Sequence, residues 1–253
     1  MKKIWLLKSF SDHDKSYESK LQEAGFNVQL IPVISFKNVN LDAIKSCLQC
    51  PDDYSGIIFT SKQAVKAVQE KYSVLSVDQH KSWLSKKHFV VGEVTAKAVH
   101  ESLGLNTLGS QCGNSKQLAE FIISQVPAFE KPLLFPCSNI KKDDLPKLLA
   151  SNDRDFRALT CYKTLPHPNL KSLLQSAIKD GRMPDVMVFF SPSGVEFTIP
   201  ILRNLGVSMT GISLVAIGPS TNVALVTENL PVASVCNAPT VDAVLYSIKG
   251  LNL

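Results

Sequence analysis

Tyr162 lies in the run Leu159-Thr160-Cys161-Tyr162-Lys163-Thr164, just before the turn-forming segment Leu165-Pro166-His167-Pro168-Asn169. A phenol titrates near 10 when unperturbed, so at neutral pH it holds a proton that it can give to a leaving group. The same place also suits a ring that packs a hinge, and the residues alone leave both roles open. Four other segments combine hydroxyls with glycine or a second hydroxyl: Thr60-Ser61, Gly92 to Thr95, Ser191-Pro192-Ser193-Gly194 and Gly218-Pro219-Ser220-Thr221. Each follows an apolar run and opens a helical pattern. Helix N-termini carry unpaired N–H donors and partial positive charge, so they receive carboxylates or phosphates. Ser and Thr there also serve simply as caps. Taken together, the four corners suit an extended polyanion.

None of them has the spacing of a Walker A loop or of a dinucleotide fingerprint. A fifth corner, Pro136-Cys137-Ser138-Asn139-Ile140-Lys141-Lys142, brings two lysines, and Lys8 follows the first apolar run. Each is either an anion contact or a solvated helix start. Cys137 has no His or Asp placed by sequence to activate it as a nucleophile.

These corners need elements to hold them. Residues 3–7, 28–32, 56–59, 88–92, 132–135, 185–190 and 213–218 are short, continuous apolar runs, the pattern of parallel strands covered on both faces. Between them lie amphipathic patterns. In residues 63–70, Val65 and Val68 share one face, and in residues 116–126 Leu118, Phe121 and Ile122 do the same. The β-then-α rhythm predicts α/β layers around parallel sheets.

The pattern repeats. Ile57-Ile58-Phe59-Thr60-Ser61 resembles Val188-Phe189-Phe190-Ser191-Pro192, and Val90-Val91-Gly92-Glu93-Val94-Thr95 resembles Ala216-Ile217-Gly218-Pro219-Ser220-Thr221. Gly113-Asn114-Ser115 and Ala238-Pro239-Thr240 follow in the same order, with glycine-to-hydroxyl offsets of 23 and 22 residues. Two similar α/β domains explain the repeat. The first strands lack partners in their own half, so the chain is expected to start in one domain, build the other and return. The expected domains are 1–34 with 168–253, and 38–163. Crossing strands at 33–38 and 160–167 would pair as an antiparallel linker.

Composition removes several classes. With 253 residues, 45% hydrophobic and 19% charged, the chain has ample apolar material for cores and no disordered tract. The net charge of +5 comes from scattered lysines and favours an anionic ligand only mildly. No basic stripe with interleaved aromatics points to nucleic acid. The apolar run Ile4 to Leu7 is too short for an export signal, and nothing approaches a membrane span. A cytoplasmic protein follows, with its six cysteines as reduced thiols. Cys47-Leu48-Gln49-Cys50 has redox or zinc spacing, but no second pair or nearby histidine completes a site, and His80 and His88 merely flank a loop and a strand. No metal site is expected, and the lack of a large apolar stripe suggests a monomer.

The ordered set Phe59-Thr60-Ser61, Val91-Gly92-Glu93-Val94-Thr95-Ala96, Cys112-Gly113-Asn114, Leu134-Phe135-Pro136-Cys137, Tyr162-Lys163-Thr164, Phe189-Phe190-Ser191-Pro192-Ser193-Gly194 and Ala216-Ile217-Gly218-Pro219-Ser220-Thr221 resembles uroporphyrinogen-III synthases, notably the animal type. The resemblance runs from Leu6-Leu7-Lys8 to the last helix. It implies two α/β domains on a two-stranded antiparallel linker, with the active site between them and no cofactor. It implies hydroxymethylbilane, a linear tetrapyrrole with eight carboxylates, as substrate, handed over by hydroxymethylbilane synthase. Loss of the terminal hydroxyl gives an azafulvene cation. Closure through a spiro intermediate then inverts the last pyrrole. By position, Tyr162 matches the tyrosine proposed to assist hydroxyl departure. Thr60, Ser61, Thr95, Ser191, Ser193 and Thr221 match carboxylate contacts, and Lys8, Gly92, Ser138, Asn139, Pro192 and Gly218 complete the expected binding set. Bacterial members often carry arginine where Lys8 stands, a fork rather than a point charge. Two rivals share the architecture: a two-lobed binding module without chemistry, and a doubly wound sugar-phosphate or nucleotide enzyme.

Overall fold

The computed structural model describes residues 1–9, 14–140, 144–179 and 183–251. Along the chain come β1 (Lys3–Lys8), α1 (Asp14–Glu23), β2 (Asn27–Pro32) and β3 (Ile34–Asn38). Then follow α2 (Leu41–Gln49), β4 (Gly56–Phe59), α3 (Lys62–Tyr72), α4 (Val77–Leu84), β5 (Lys87–Val90), α5 (Glu93–Leu103) and α6 (Ser115–Gln125). The middle closes with β6 (Leu133–Ser138), α7 (Asp144–Ala150) and β7 (Phe156–Pro166). The last part is α8 (Leu170–Lys179), β8 (Val186–Phe189), α9 (Pro192–Asn204), β9 (Ser213–Ala216), α10 (Pro219–Thr227), β10 (Ser234–Val235) and α11 (Val241–Lys249).

The chain divides into two compact units, residues 1–35 with 165–253, and residues 36–164. The division falls inside β3 and inside β7. These two strands run antiparallel: the His167 N–H bonds the Val33 carbonyl at 3.1 Å, and the Val39 N–H bonds the Cys161 carbonyl at 2.9 Å.

In the first unit the sheet order is β10-β9-β8-β1-β2, with the pairs parallel. One face carries α8, α9 and α10 over Trp5, Leu7, Met187, Phe189 and Leu214, and the other carries α1 and α11 over Ile4, Leu6, Val188 and Val215. Burial on both faces is why these strands read as unbroken apolar runs.

The second unit has the order β3-β7-β6-β4-β5, parallel from β7 to β5. Helices α2, α3 and α5 cover one face over Ile57, Phe59, Val90 and Leu134, and α6 and α7 cover the other over Ile58, Phe89, Leu133 and Phe135. A single parallel bridge from Phe89 to Leu108 adds a further contact at the β5 edge. A Cβ on Gly56 would lie 1.7 Å from the Lys87 carbonyl oxygen, so β4 and β5 begin side by side only with glycine there.

The seven expected strands are all present, and two α/β units with parallel sheets stand as expected. Two expectations need correction. His80 is not beside a loop but inside α4, a helix opened by the Ser76–Gln79 capping box, whereas His88 lies in β5, within the run expected as a strand. The oxygen that caps α6 belongs to Asn114, not Ser115. The step from glycine to cap is therefore 22 residues in both copies, Gly92 to Asn114 and Gly218 to Thr240.

Candidate active site

In each unit the corners form at the carboxyl ends of the strands, where ligands collect in α/β sheets. Extended β4 hands over to α3 at Ser61, whose Oγ accepts the Ala64 N–H at 3.2 Å. Ser191 does the same for α9, accepting the Gly194 N–H at 3.1 Å, with Pro192 at the first helical position, where a missing N–H costs nothing. The Ser193 hydroxyl lies 3.3 Å from that of Ser191. Gly92 and Gly218 occupy the caps of α5 and α10 and supply no side chain. Gly92 holds φ at 77°, a region that side chains rarely enter, whereas Gly218 is extended. Thr95 and Thr221, three positions on, are buried, at 7% and 1% exposure. Thr95 and Thr221 thus withhold their hydroxyls, and these two corners offer a ligand backbone N–H groups, with the exposed Ser220 beside them in the Gly218 corner.

Within the second unit, Thr60, Ser61, Ser138 and Tyr162 line one cavity of about 180 Å³, together with Ser115, Phe135, Cys137, Ile140 and Leu145. The Tyr162 phenol sits 3.0 Å from Ser61 Oγ. Its ring, 8% exposed, meets the Phe36 ring edge-on at 6.0 Å. Burial pushes the phenol above its ordinary value of 10.0, while the hydroxyls of Ser61 and Ser138 pull it back. Two bonds fix the backbone below it. The Asn139 N–H donates to the Tyr162 carbonyl at 3.2 Å, and the Thr164 N–H donates to Asn139 Oδ1 at 2.9 Å. Asn139 thus ties the end of β6 to the body of β7. Ser138 Oγ accepts the Ile140 N–H at 3.1 Å.

A phenol kept protonated, with hydroxyls ready to receive the charge it leaves behind, is suited to general acid work. The cavity is smaller than the roughly 300–1,000 Å³ of a drug-sized ligand pocket. It admits one arm of a large ligand rather than the whole. Cys137 is 2% exposed, an apolar wall and not an accessible thiol.

Lys8 belongs to the first unit. Its Nζ lies 4.7 Å from the Tyr17 ring centroid and 5.0 Å from that of Phe190. The two lysines of the fifth corner, Lys141 and Lys142, lie outside the described residues. The sequence reading passed over Ser115 and Phe36. The segment Gly113-Asn114-Ser115 stood out only as part of the repeat, and nothing local shows that the first turn of α6 reaches the Tyr162 cavity. Among the described residues no group of three or more His, Cys, Asp or Glu side chains could hold a metal ion. No helix among them is long and apolar enough to cross a membrane.

Residues 15–245 match the sequence family described as uroporphyrinogen-III synthase HemD. The uroporphyrinogen-III synthase of Saccharomyces cerevisiae is 28% identical over 238 residues, spanning 87% of this chain and 85% of the yeast protein. Two solved structures share the fold. Uroporphyrinogen-III synthetase from Helicobacter pylori aligns with a TM-score of 0.68 at 16% identity, over 100% of both chains. A mutant uroporphyrinogen III synthase from Thermus thermophilus aligns at 0.66 and 18% identity, over 98% of both. The chain belongs to the uroporphyrinogen-III synthase family.

Proposed function

We propose that Tyr162 is the general acid of this chain's reaction. As a family member the chain is a cyclising lyase of tetrapyrrole biosynthesis that converts hydroxymethylbilane into uroporphyrinogen III. The observation that carries the assignment is the buried phenol 3.0 Å from Ser61 Oγ, at the wall of a polar cavity. The phenol gives its proton to the terminal hydroxyl, the C–O bond breaks, and water leaves. The azafulvene cation that remains is attacked by the substituted carbon of the last pyrrole. The spiro intermediate fragments and recombines at the free carbon. The proton lost when that pyrrole regains its aromatic system balances the one given to water, so the reaction needs no external acid or base.

The helix corners act as carboxylate receivers. In the second unit Thr60, Ser61 and the turn from Gly92 to Thr95 take this role. In the first unit it falls to Ser191, Pro192, Ser193 and the turn from Gly218 to Thr221, with Lys8 adding a cation. Asn139 positions the end of β6 against β7 below the cavity. Holding a flexible bilane so that a hindered carbon meets the cation is a proximity effect, which can supply much of the rate. The chain works as a cytoplasmic monomer that receives its unstable substrate from hydroxymethylbilane synthase.

The test supplies freshly generated hydroxymethylbilane and separates the oxidised products by isomer. Unaided closure gives isomer I. The intact chain is expected to give isomer III in excess, and only isomer I from folded protein would defeat the activity. Tyr162→Phe is expected to slow isomer III formation about 10²-fold, with circular dichroism unchanged. Near-normal turnover would remove Tyr162 from the acid role.

A further inference from the structure

The ladder between β6 and β7 holds one irregularity. Leu133 to Cys137 pair with Phe156 to Thr160 in unbroken sequence, but Ser138 pairs with Tyr162, so Cys161 is an extra residue on β7. In a regular strand neighbouring side chains point to opposite faces. Phe156 and Ala158 pack on the α6–α7 face, and Leu159 and Cys161 pack on the α2–α3 face. Unbroken alternation would send Tyr162 to the α6–α7 face and set Cys161 opposite Ser138. The bulge instead leaves Cys161 and Tyr162 on the same face, the one where Ser61 begins α3. Bulges commonly re-aim a side chain beside an active site in this way. The extra residue is pinned on both sides. Its carbonyl accepts the Val39 N–H at 2.9 Å, and its Sγ donates to the Cys137 carbonyl at 3.6 Å.

We propose that Ser138 is a positioning residue for the reaction, set opposite Tyr162 by the β7 bulge so that its hydroxyl and that of Ser61 hold the phenol from two sides. The inference rests on the acid role of Tyr162. Both hydroxyls line the phenol's cavity, and they come from different elements, Ser138 from the end of β6 and Ser61 from the start of α3. Ser61 Oγ already accepts from the Ala64 N–H and Ser138 Oγ from the Ile140 N–H, so each oxygen is held in place; the Ser138 O–H donates to Asn139 Oδ1 at 3.2 Å and has to turn from it to reach the phenol. Thr164 Oγ1, 3.5 Å from Ser138 Oγ, extends the chain of hydroxyls away from the cavity. When the phenol gives up its proton, the Ser61 O–H meets the new oxyanion at once and the Ser138 O–H turns to it from Asn139 Oδ1. This is how prearranged dipoles favour a charge that develops during reaction.

Ser138→Ala tests the assignment with two readouts. The first splits kcat from KM: a positioning role predicts kcat lower by about tenfold with KM little changed, the value of one hydrogen bond to a charged group. The second is the ultraviolet titration of tyrosinate, taken as the difference between Ser138→Ala and Ser138→Ala/Tyr162→Phe. Its midpoint should lie above that of Tyr162 in the parent chain, and Ser138→Thr should restore both readouts. Should Ser138→Ala fail to fold, Ser138→Cys keeps the size with a weaker donor and should move both readouts in the same direction. A raised KM with kcat retained would make Ser138 a carboxylate contact and overturn the proposal. An unmoved phenol titration would also overturn it, leaving the acid role of Tyr162 standing. Retained turnover in Tyr162→Phe is the separate result that would sink the acid role itself.

Discussion

Where β6 ends, the second unit presents Ser138 opposite Tyr162 of β7; where β1 and β2 end, the first unit presents Lys8 opposite Pro32. The two places correspond. In each unit the strand that opens on a capping serine, β4 or β8, stands between the glycine-ended strand and the strand carrying this pair. Helices α2, α3 and α5 cover one face of the second sheet as α8, α9 and α10 cover one face of the first. The chain order differs. The first unit meets its β1–β2 pair before its serine and glycine strands, and the second meets β6–β7 after them, so the two are circular permutations of one arrangement.

On the proposed reading, the difference in residues divides the labour. The second unit buries a proton donor among hydroxyls. Its counterpart holds an ammonium against two aromatic faces and ends its strand on a residue without an N–H. A charge that must stay charged is set against ring faces, and a group that must hold its proton is buried. On the proposed reading, one scaffold used twice receives carboxylates at the corners of both units and adds a proton donor in the second and a cation in the first.

Acid offers the largest way to separate the units. His88, beside Ile57, is 1% exposed, whereas Leu214 fills the matching place beside Met187. The imidazole Nε2 faces the Trp83 carbonyl at 2.8 Å, which can only accept, so Nε2 carries the proton and Nδ1 is bare, with no partner among the described residues. Burial is the main reason its pKa falls from 6.5 to about 4, and Lys86 lowers it further against the bond to Trp83. The unfolded chain binds a proton near pH 6.5 that the folded chain refuses until about pH 4. Stability from this group is therefore intact above pH 6.5, is lost as pH falls toward 4, and levels off below. The expected loss is about 3 kcal/mol. Urea unfolding between pH 7 and 4 measures it. His88→Gln keeps a donor for the Trp83 carbonyl without titrating there, and should flatten the profile. An unchanged slope would show that other groups carry the acid sensitivity.

The glycine corners differ less. At Gly92 a Cβ meets nothing within 4 Å, yet φ is 77°, so Gly92→Ala should cost about 1–3 kcal/mol through backbone strain alone. Gly218 is equally open but extended, and Gly218→Ala should change stability by less than about 0.5 kcal/mol. Equal losses in thermal unfolding would mean that the two corners share a constraint other than φ.

These contrasts also show what the sequence can and cannot reveal. The corners were legible because strand, glycine or hydroxyl, and helix follow one another within a few residues, each with its own local physics. The return of the chain was legible because residues 3–7 and 28–32 needed strand partners that their own half lacked. The bulge at Cys161 left no mark, since an extra residue in a ladder is defined by its partner strand. His88 read as a strand residue of no consequence because its burial depends on Trp83 and β4, and Ser115 reaches the cavity only through the placing of α6. Local grammar is written in the chain, but cross-strand registration is not.

The smallest effect on stability gives the sharpest comparison between the units. Ser61 and Ser191 cap α3 and α9 with the same bond, so Ser61→Ala and Ser191→Ala should each cost about 1 kcal/mol in thermal or urea unfolding. Kinetics should then part them. Ser61 Oγ also touches the Tyr162 phenol, while the nearest hydroxyl to Ser191 is that of Ser193. Ser61→Ala is expected to lower kcat about tenfold, because a bond strengthened as the phenol loses its proton disappears. Ser191→Ala is expected to raise KM with kcat nearly unchanged, the mark of a contact equally strong before and during reaction. If both variants lowered kcat alike, the first unit would share in the chemistry, and the division between an acid edge and a binding edge would fail.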